Sequence, residues 1–269
     1  MTSLREILAA TRRRVEESIS TADVAQLEEL AAAHLPRGFR RALLSASASG
    51  LAIIAELKKA SPSRGVIRPG FDPARLAREL ESSGAAALSV LTDEDFFQGS
   101  LENLRIASSS TRLPCLRKDF IVDEFQILEA RAHGADAVLL IVGALSGEDL
   151  VALAKRAREF ELDVLVEVHD EEELRRALGA GCDLVGVNSR DLRTFRVDLD
   201  TAFRMAQVLP PEVMAVAESG IDKGSDIAQL RSAGYRAFLV GETLMKAPVP
   251  GDALGRLLVE AGSAQPAGM

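Results

Sequence analysis

Cysteine, histidine and tryptophan are scarce in this chain: its 269 residues include two Cys, three His and no Trp. Cys115 and Cys182 lie far apart and fit neither a CxxC nor a zinc spacing, so they read as reduced, buried thiols. The three histidines are scattered along the chain and make no two-His-plus-carboxylate metal set and no Ser-His-Asp arrangement, and neither metal nor cofactor is expected. Every apolar run falls short of the roughly 18 residues that a membrane span needs. The opening MTSLREILAATRRR mixes acidic and basic residues and has no apolar secretory core. The expectation is a cytoplasmic protein with no membrane partner. Basic excess is missing as well. With 32 Lys+Arg against 40 Asp+Glu the net charge is -8 and the pI about 5.1, the opposite of a nucleic-acid footprint. A small anion held in a locally positive pocket stays open. Neither a P-loop nor a GxGxxG after the first strand-like run is present.

What is present is alternation. Strand-like apolar runs at Leu51–Leu57, Ala86–Leu91, Leu113–Leu116, Ala137–Val142, Val164–Val168, Leu184–Val187, Val213–Ala217 and Ala237–Val240 are each followed by a helical pattern. Continuous apolar strands belong to a parallel sheet covered on both faces. Gly84, Gly134, Gly181 and Gly234 stand where a left-handed residue ends the preceding helix. Eight such units fit an α/β fold of the closed (β/α)8 barrel type, the TIM barrel, better than an open sheet. Residues 1–48 contain helical spacings only, with Asp23 as a candidate cap. The expected organisation is a helical extension over the barrel (1–48), the barrel itself (49–262) and a flexible tail (263–269). Whether the extension covers the barrel mouth or plugs its bottom is open.

Chemistry in such a barrel sits at the C-terminal ends of the strands. Those ends supply Glu56 and Lys58; Thr92 and the loop DEDFFQGS; Arg117, Lys118, Asp119 and Phe120; Glu167 and His169; Asn188, Ser189, Arg190 and Asp191; Glu218, Ser219 and Gly220; and Gly241, Glu242 and Thr243. Glu56 and Lys58, two apart on a strand, point to the same side, as a structural ion pair or as part of a site. Three cations stand among three carboxylates on one rim, the arrangement that drives pKa values apart. Ser219-Gly220 and Gly241 occupy the loops that bind phosphate in these barrels. The histidines add little. His34 lies in the extension, His133 precedes Gly134 at the bottom of the fourth strand, and His169 opens the acidic run HDEEE as a surface or capping residue. Acid–base work therefore falls to Lys and Glu.

The blocks IIAELKKASPSRG, LTDEDFFQGS, LRKDFIVDEFQI, ADAVLLI, VEVHDEEEL, VGVNSRDL, VAESGI and FLVGETLM together resemble the indole-3-glycerol phosphate synthase family, over residues 51–245. The resemblance implies a carboxy-lyase of tryptophan biosynthesis. Its substrate would be 1-(2-carboxyphenylamino)-1-deoxyribulose 5-phosphate, converted without metal or cofactor. Lys118 would be the general acid of ring closure and Glu167 the base of dehydration, with Lys58, Glu56, Asn188 and Glu218 completing the catalytic set. Ser61 and Arg190 would hold the anionic substrate, while Phe97, Phe120, Leu139 and Leu192 would wall its aromatic ring. Ser219, Gly220, Gly241 and the backbone N–H of Glu242 would take the phosphate. Lys58 and partial burial are expected to lower the Lys118 pKa from its usual value of about 10.4, with Glu56 opposing. The phosphorylated small molecule is the expected partner, with no nucleic acid, and the chain is expected as a monomer or a weak homodimer. The residues alone leave two other readings open: a sugar-phosphate isomerase barrel, and a barrel that binds a phosphate ligand without catalysis.

Overall fold

The computed structural model describes residues 3–191 and 196–263. Eight parallel strands close into a barrel in chain order: β1 (Ala52–Leu57), β2 (Ala87–Leu91), β3 (Cys115–Lys118), β4 (Ala137–Ile141), β5 (Asp163–Val168), β6 (Leu184–Asn188), β7 (Met214–Glu218) and β8 (Ala237–Val240). The ring closes where β8 pairs with β1, Ala52 opposite Ala237 and Ala55 opposite Val240. The eight-unit barrel expected from the alternation is the fold observed. Gly84, Gly134, Gly181 and Gly234 all take positive φ, as the turns between helix and strand require. No described helix is long and apolar enough to cross a membrane.

Alternation along each strand divides the core in two. Outward residues such as Ile53, Ala55 and Leu57 pack beneath the surrounding helices. Inward residues fill the barrel in layers: Ala52 and Ile54, Leu116, Leu165, Met214 and Val216 are all buried there. On β1, β3, β5 and β7 the last inward position is charged: Glu56, Lys118, Glu167 and Glu218. A series that is apolar at the bottom and charged at the top places the polar chemistry at one end of the barrel.

The third strand lies two residues later than expected. Pro114 lacks an N–H, and the ladder begins at Cys115, whose N–H donates to Asp136 Oδ2 at 2.6 Å. Arg117 and Lys118, expected beyond the strand, belong to it. Arg117 is buried because its guanidinium finds the Gln126 carbonyl (2.6 Å), Thr92 Oγ1 (3.2 Å) and Asp119 Oδ2 (3.2 Å). Cys115 and Cys182 are free and buried.

The first three helices wrap the barrel from end to end. Helix α1 (Leu4–Thr21) starts from a capping box formed by Ser3 and Glu6. It lies on the mouth, where Ile7 joins the interior cluster beside Phe120, Leu139 and Ile141. Helix α2 (Val24–Ala33), capped by Asp23, packs against α7 (Phe125–Ala132) through Ala31, Leu128 and Ala132. Helix α3 (Phe39–Ser49) plugs the bottom, where Phe39 and Leu43 are fully buried with the first inward residues of the strands. Mouth cover and bottom plug are thus both present, in different helices.

One clasp fixes the bottom. Asp136, fully buried at the start of β4, accepts from Arg37 Nη2 (2.5 Å), Arg37 N (2.6 Å) and Cys115 N (2.6 Å). Arg37 also donates to the carbonyls of Ser108 and Thr111, both at 3.1 Å. Burial acts to raise the Asp136 pKa, but hydrogen bonds from His34 and Arg37 outweigh it, and the net direction is down. A depressed carboxylate stabilises the fold above its unfolded pKa, about 3.9, and loses that contribution as the pH falls. Asp136→Ala leaves Arg37 without its partner and is expected to cost about 3–5 kcal/mol. Thermal unfolding at neutral pH measures this, and an unchanged Tm would show the clasp to be incidental.

Candidate active site

Ladder register brings the charged inward residues together. Leu91 stands opposite Lys118, Ile141 opposite Glu167, and Asn188 opposite Glu218. Across the barrel, Lys118 Nζ donates to Glu167 Oε2 at 2.6 Å and to Glu218 Oε2 at 3.1 Å. On the neighbouring wall Lys58 Nζ donates to Glu56 Oε1 at 2.6 Å. Asn188, opposite Glu218 in the ladder, accepts from Arg190 N at 3.0 Å through its Oδ1.

Two carboxylates fit only because glycines stand beside them. A Cβ on Gly186 would lie 2.0 Å from Glu218 Oε1, and one on Gly241 would lie 2.3 Å from Glu56 Oε1. Gly241, read from the sequence as a phosphate residue, also makes room for Glu56.

The electrostatics follow from this packing. Burial works against the Lys118 ammonium, but Glu167, Glu218 and Glu56 outweigh it, so its pKa rises. The expectation of a lowered pKa is corrected: Lys58 is engaged by Glu56, and the carboxylates around Lys118 decide the sign. Burial raises Glu167 too, but Lys118, His169 and Asn188 bring its pKa down. Glu218 goes the other way. Burial and the neighbouring Glu167 charge, opposed by Lys118, push it up to about 7.

Above this floor lies a cavity of about 410 Å³. Of the sixteen residues expected in the site, fifteen line it: Glu56, Lys58, Ser61, Phe97, Lys118, Phe120, Leu139, Glu167, Asn188, Arg190, Glu218, Ser219, Gly220, Gly241 and Glu242. Leu192 lies outside the described residues. One side is apolar, with Phe97, Phe120, Leu139 and Ile141 joined by Leu4 and Ile7 of α1. Opposite stands the turn after β7, where Ser219 (φ 64) and Gly220 (φ 80) are successive left-handed residues. Glu242 keeps its carboxylate on the rim among Lys246 (2.5 Å), Arg64 (3.1 Å) and Arg190 (3.7 Å).

The sequence reading missed two contributors. Arg14 of α1 reaches Asp93 and Asp95, each at 3.3 Å, and Asp119 at 3.5 Å, which ties the cover to the rim. The arginine run of α1 carried no sign of this partnership 79 residues downstream. His169, read as a surface or capping residue, is instead largely buried behind Glu167, with Nε2 3.5 Å from Glu167 Oε1. Its place two residues after Glu167 on the same side of the strand end was the available signal.

A family model described as indole-3-glycerol phosphate synthase matches residues 4–257. The chain belongs to the indole-3-glycerol phosphate synthase family. A protein of that name from Koribacter versatilis is 56% identical over 256 residues, covering 95% of this chain and 98% of the relative. Another from Burkholderia ambifaria is 48% identical over 255 residues, covering 94% and 98%. Among solved structures, thiamine phosphate pyrophosphorylase from Pyrococcus furiosus aligns with a TM-score of 0.59 at 18% identity, over 79% of this chain and 96% of that one. That likeness is one of fold alone.

Gly186→Ala tests the carved floor. The added methyl meets both Glu218 and Leu165, and overpacking of this kind costs about 1–3 kcal/mol. Gly70→Ala, where a Cβ meets nothing within 4 Å, is the control. Equal melting temperatures for the two variants would show that Glu218 moves aside freely.

Proposed function

We propose that this chain closes the indole ring of 1-(2-carboxyphenylamino)-1-deoxyribulose 5-phosphate, releasing carbon dioxide and water, as the indole-3-glycerol phosphate synthase step of tryptophan biosynthesis. The observation that carries this reading, in a chain of this family, is an ammonium lodged between two buried carboxylates beneath a half-apolar, half-polar cavity. Lys118 gives its proton to the substrate carbonyl oxygen as the ring carbon attacks the carbonyl carbon. The developing alkoxide is far more basic than an amine, so a raised pKa keeps Lys118 charged without preventing the transfer. Glu218, whose pKa burial and Glu167 push up to about 7, returns a proton to the amine. Loss of the carboxylate as carbon dioxide leaves its electron pair in the ring and restores aromaticity. The new hydroxyl then departs as water, taking a second proton, while Glu167 removes one from the adjacent carbon. Lys58, paired with Glu56, is the second ammonium at the rim and shares in supplying protons.

Binding divides along the same lines. The aromatic ring packs on Phe97, Phe120 and Leu139, the carboxylate faces Arg190 and Ser61, and the phosphate meets the N–H groups of Ser219, Gly220, Gly241 and Glu242. The cytoplasm suits a biosynthetic enzyme whose two cysteines are free. Helix α1 acts as the lid: Leu4 and Ile7 complete the apolar wall, and excluding water strengthens the charged contacts beneath.

Purified protein is expected to form indole-3-glycerol phosphate from this substrate in the presence of EDTA, followed by indole absorbance. Lys118→Met and Glu167→Gln should each lower kcat by about two orders of magnitude or more, with unchanged circular dichroism. Near-normal kcat in Lys118→Met would remove that residue from the acid role.

The lid is tested by deleting residues 1–22. A cut at residue 45 would also take out Phe39 and Leu43, which plug the bottom. The shorter deletion keeps them and the Arg37 clasp. The trimmed barrel is expected to stay folded and to bind substrate at least about tenfold more weakly once Leu4, Ile7 and their water-excluding cover are gone. An unchanged KM with a lower Tm would make α1 a structural cover only.

A further inference from the structure

The least explained group near the cavity is His169. It does not line the cavity, and a surface residue would not be packed as it is. Its backbone N–H and its Nδ1 both meet Glu173 Oε2, at 2.8 and 3.0 Å. Glu173 is itself held in place. It lies in the first turn of α9 (Glu171–Gly179), its N–H donates to the capping Asp170 at 2.9 Å, and its Oε1 fills the space that a Cβ on Gly143 would take, 2.6 Å away. The other ring nitrogen, Nε2, is buried, has no hydrogen-bond partner among the described residues, and stands 3.5 Å from Glu167 Oε1. Glu167 Oε2 is the oxygen bonded to Lys118.

An imidazole with a carboxylate oxygen facing each nitrogen is favourable only when both nitrogens carry hydrogens, which is the imidazolium form. The neutral ring would turn a lone pair toward one carboxylate. Glu167 is thus flanked by a cation on each oxygen, Lys118 from the cavity side and His169 from behind.

We propose that His169 is a positioning residue: clamped by Glu173 as an imidazolium, it orients Glu167 and keeps that carboxylate ionised, ready to act as a base. The inference rests on the role given above to Glu167. The groups facing the ring are Glu167 from β5, Glu218 from β7 and Glu173 from α9; the packed loop Val142–Ala144 brings no titratable side chain. Burial disfavours the cation, but these three carboxylates outweigh it and move the His169 pKa up from its ordinary value. The imidazolium is therefore lost at a higher pH than that of an ordinary histidine, whose pKa is about 6.5.

His169→Asn is the test, because the Asn amide reaches the Nδ1 position and keeps the Glu173 contact while leaving nothing toward Glu167. The expected result is a kcat about tenfold below wild type near pH 6, with KM within about twofold, in the range one charged neighbour supplies. That gap should close as the pH rises and the wild-type ring itself loses its charge. Glu173→Gln, which keeps the histidine but weakens its clamp, should shift kcat in the same direction by a smaller factor. In the Glu167→Gln background, His169→Asn should cause no further loss. A wild-type kcat in His169→Asn, a deficit constant across pH 5.5–9, or additivity with Glu167→Gln would each overturn the proposal. Full activity in Glu167→Gln would instead remove the base role itself, so the two failures are told apart.

Discussion

A buried ammonium must be compensated, and much of this molecule arranges the compensation of Lys118. Taking the charge out of water is worthwhile only if strong partners meet it, and Glu167 and Glu218 do so from the far wall of the barrel. Those partners impose their own conditions. Glu218 fits because position 186 has no side chain, and Glu167 is braced by His169. Crowding the carboxylates has its own effect: burial beside Glu167 pushes the Glu218 pKa up to about 7.

The helical extension answers a second constraint. A barrel has two open ends, and its interior column of Ala52, Ile54, Leu116, Leu165 and Val216 would meet water at both. One segment closes both: α1 on the mouth and α3 beneath, with α2 running along α7 between them. The two seals are fastened differently. Arg37 at the bottom meets a fully buried carboxylate at hydrogen-bond distances down to 2.5 Å. Arg14 at the top, about as exposed as Arg37, reaches its three carboxylates only at 3.3–3.5 Å. The looser fastening is at the end through which a substrate would pass.

Much of this was legible in advance. Eight apolar runs separated by helical patterns were enough for the barrel, because a strand buried on both faces cannot conceal itself in a sequence. Charged residues at the strand ends, such as Lys118 and Glu167, were legible for the same reason, since charge stands out after an apolar run, whereas Ser61 and the wall of Phe97, Phe120 and Leu139 were reached only through the family resemblance; all of these line one cavity. Besides the reach of Arg14, three features were not legible, each for lack of a partner in view. Strand β3 was misplaced because Arg117 looks like a loop residue until Gln126, Thr92 and Asp119 are seen around it. The direction of the Lys118 shift was misjudged because the nearest charges in sequence are not the nearest in space. His169 was misread because its acidic neighbours mimic a solvated helix start, whereas one of them, Glu173, turns inward to hold it.

The wrapped extension also bears on how the chain comes to be folded. Synthesis proceeds from the N-terminus, so Phe39 and Leu43 leave the ribosome long before Ala237, although in the finished barrel they share one cluster. Strand β1 likewise waits for β8, its partner across nearly the whole chain. The residues made first are therefore among the last to find their permanent seats. Until the final strand arrives, two fully apolar side chains of α3 have no barrel to enter. Such long-separation closure slows folding, and it makes the nascent N-terminal helices the segment most in need of protection from other chains.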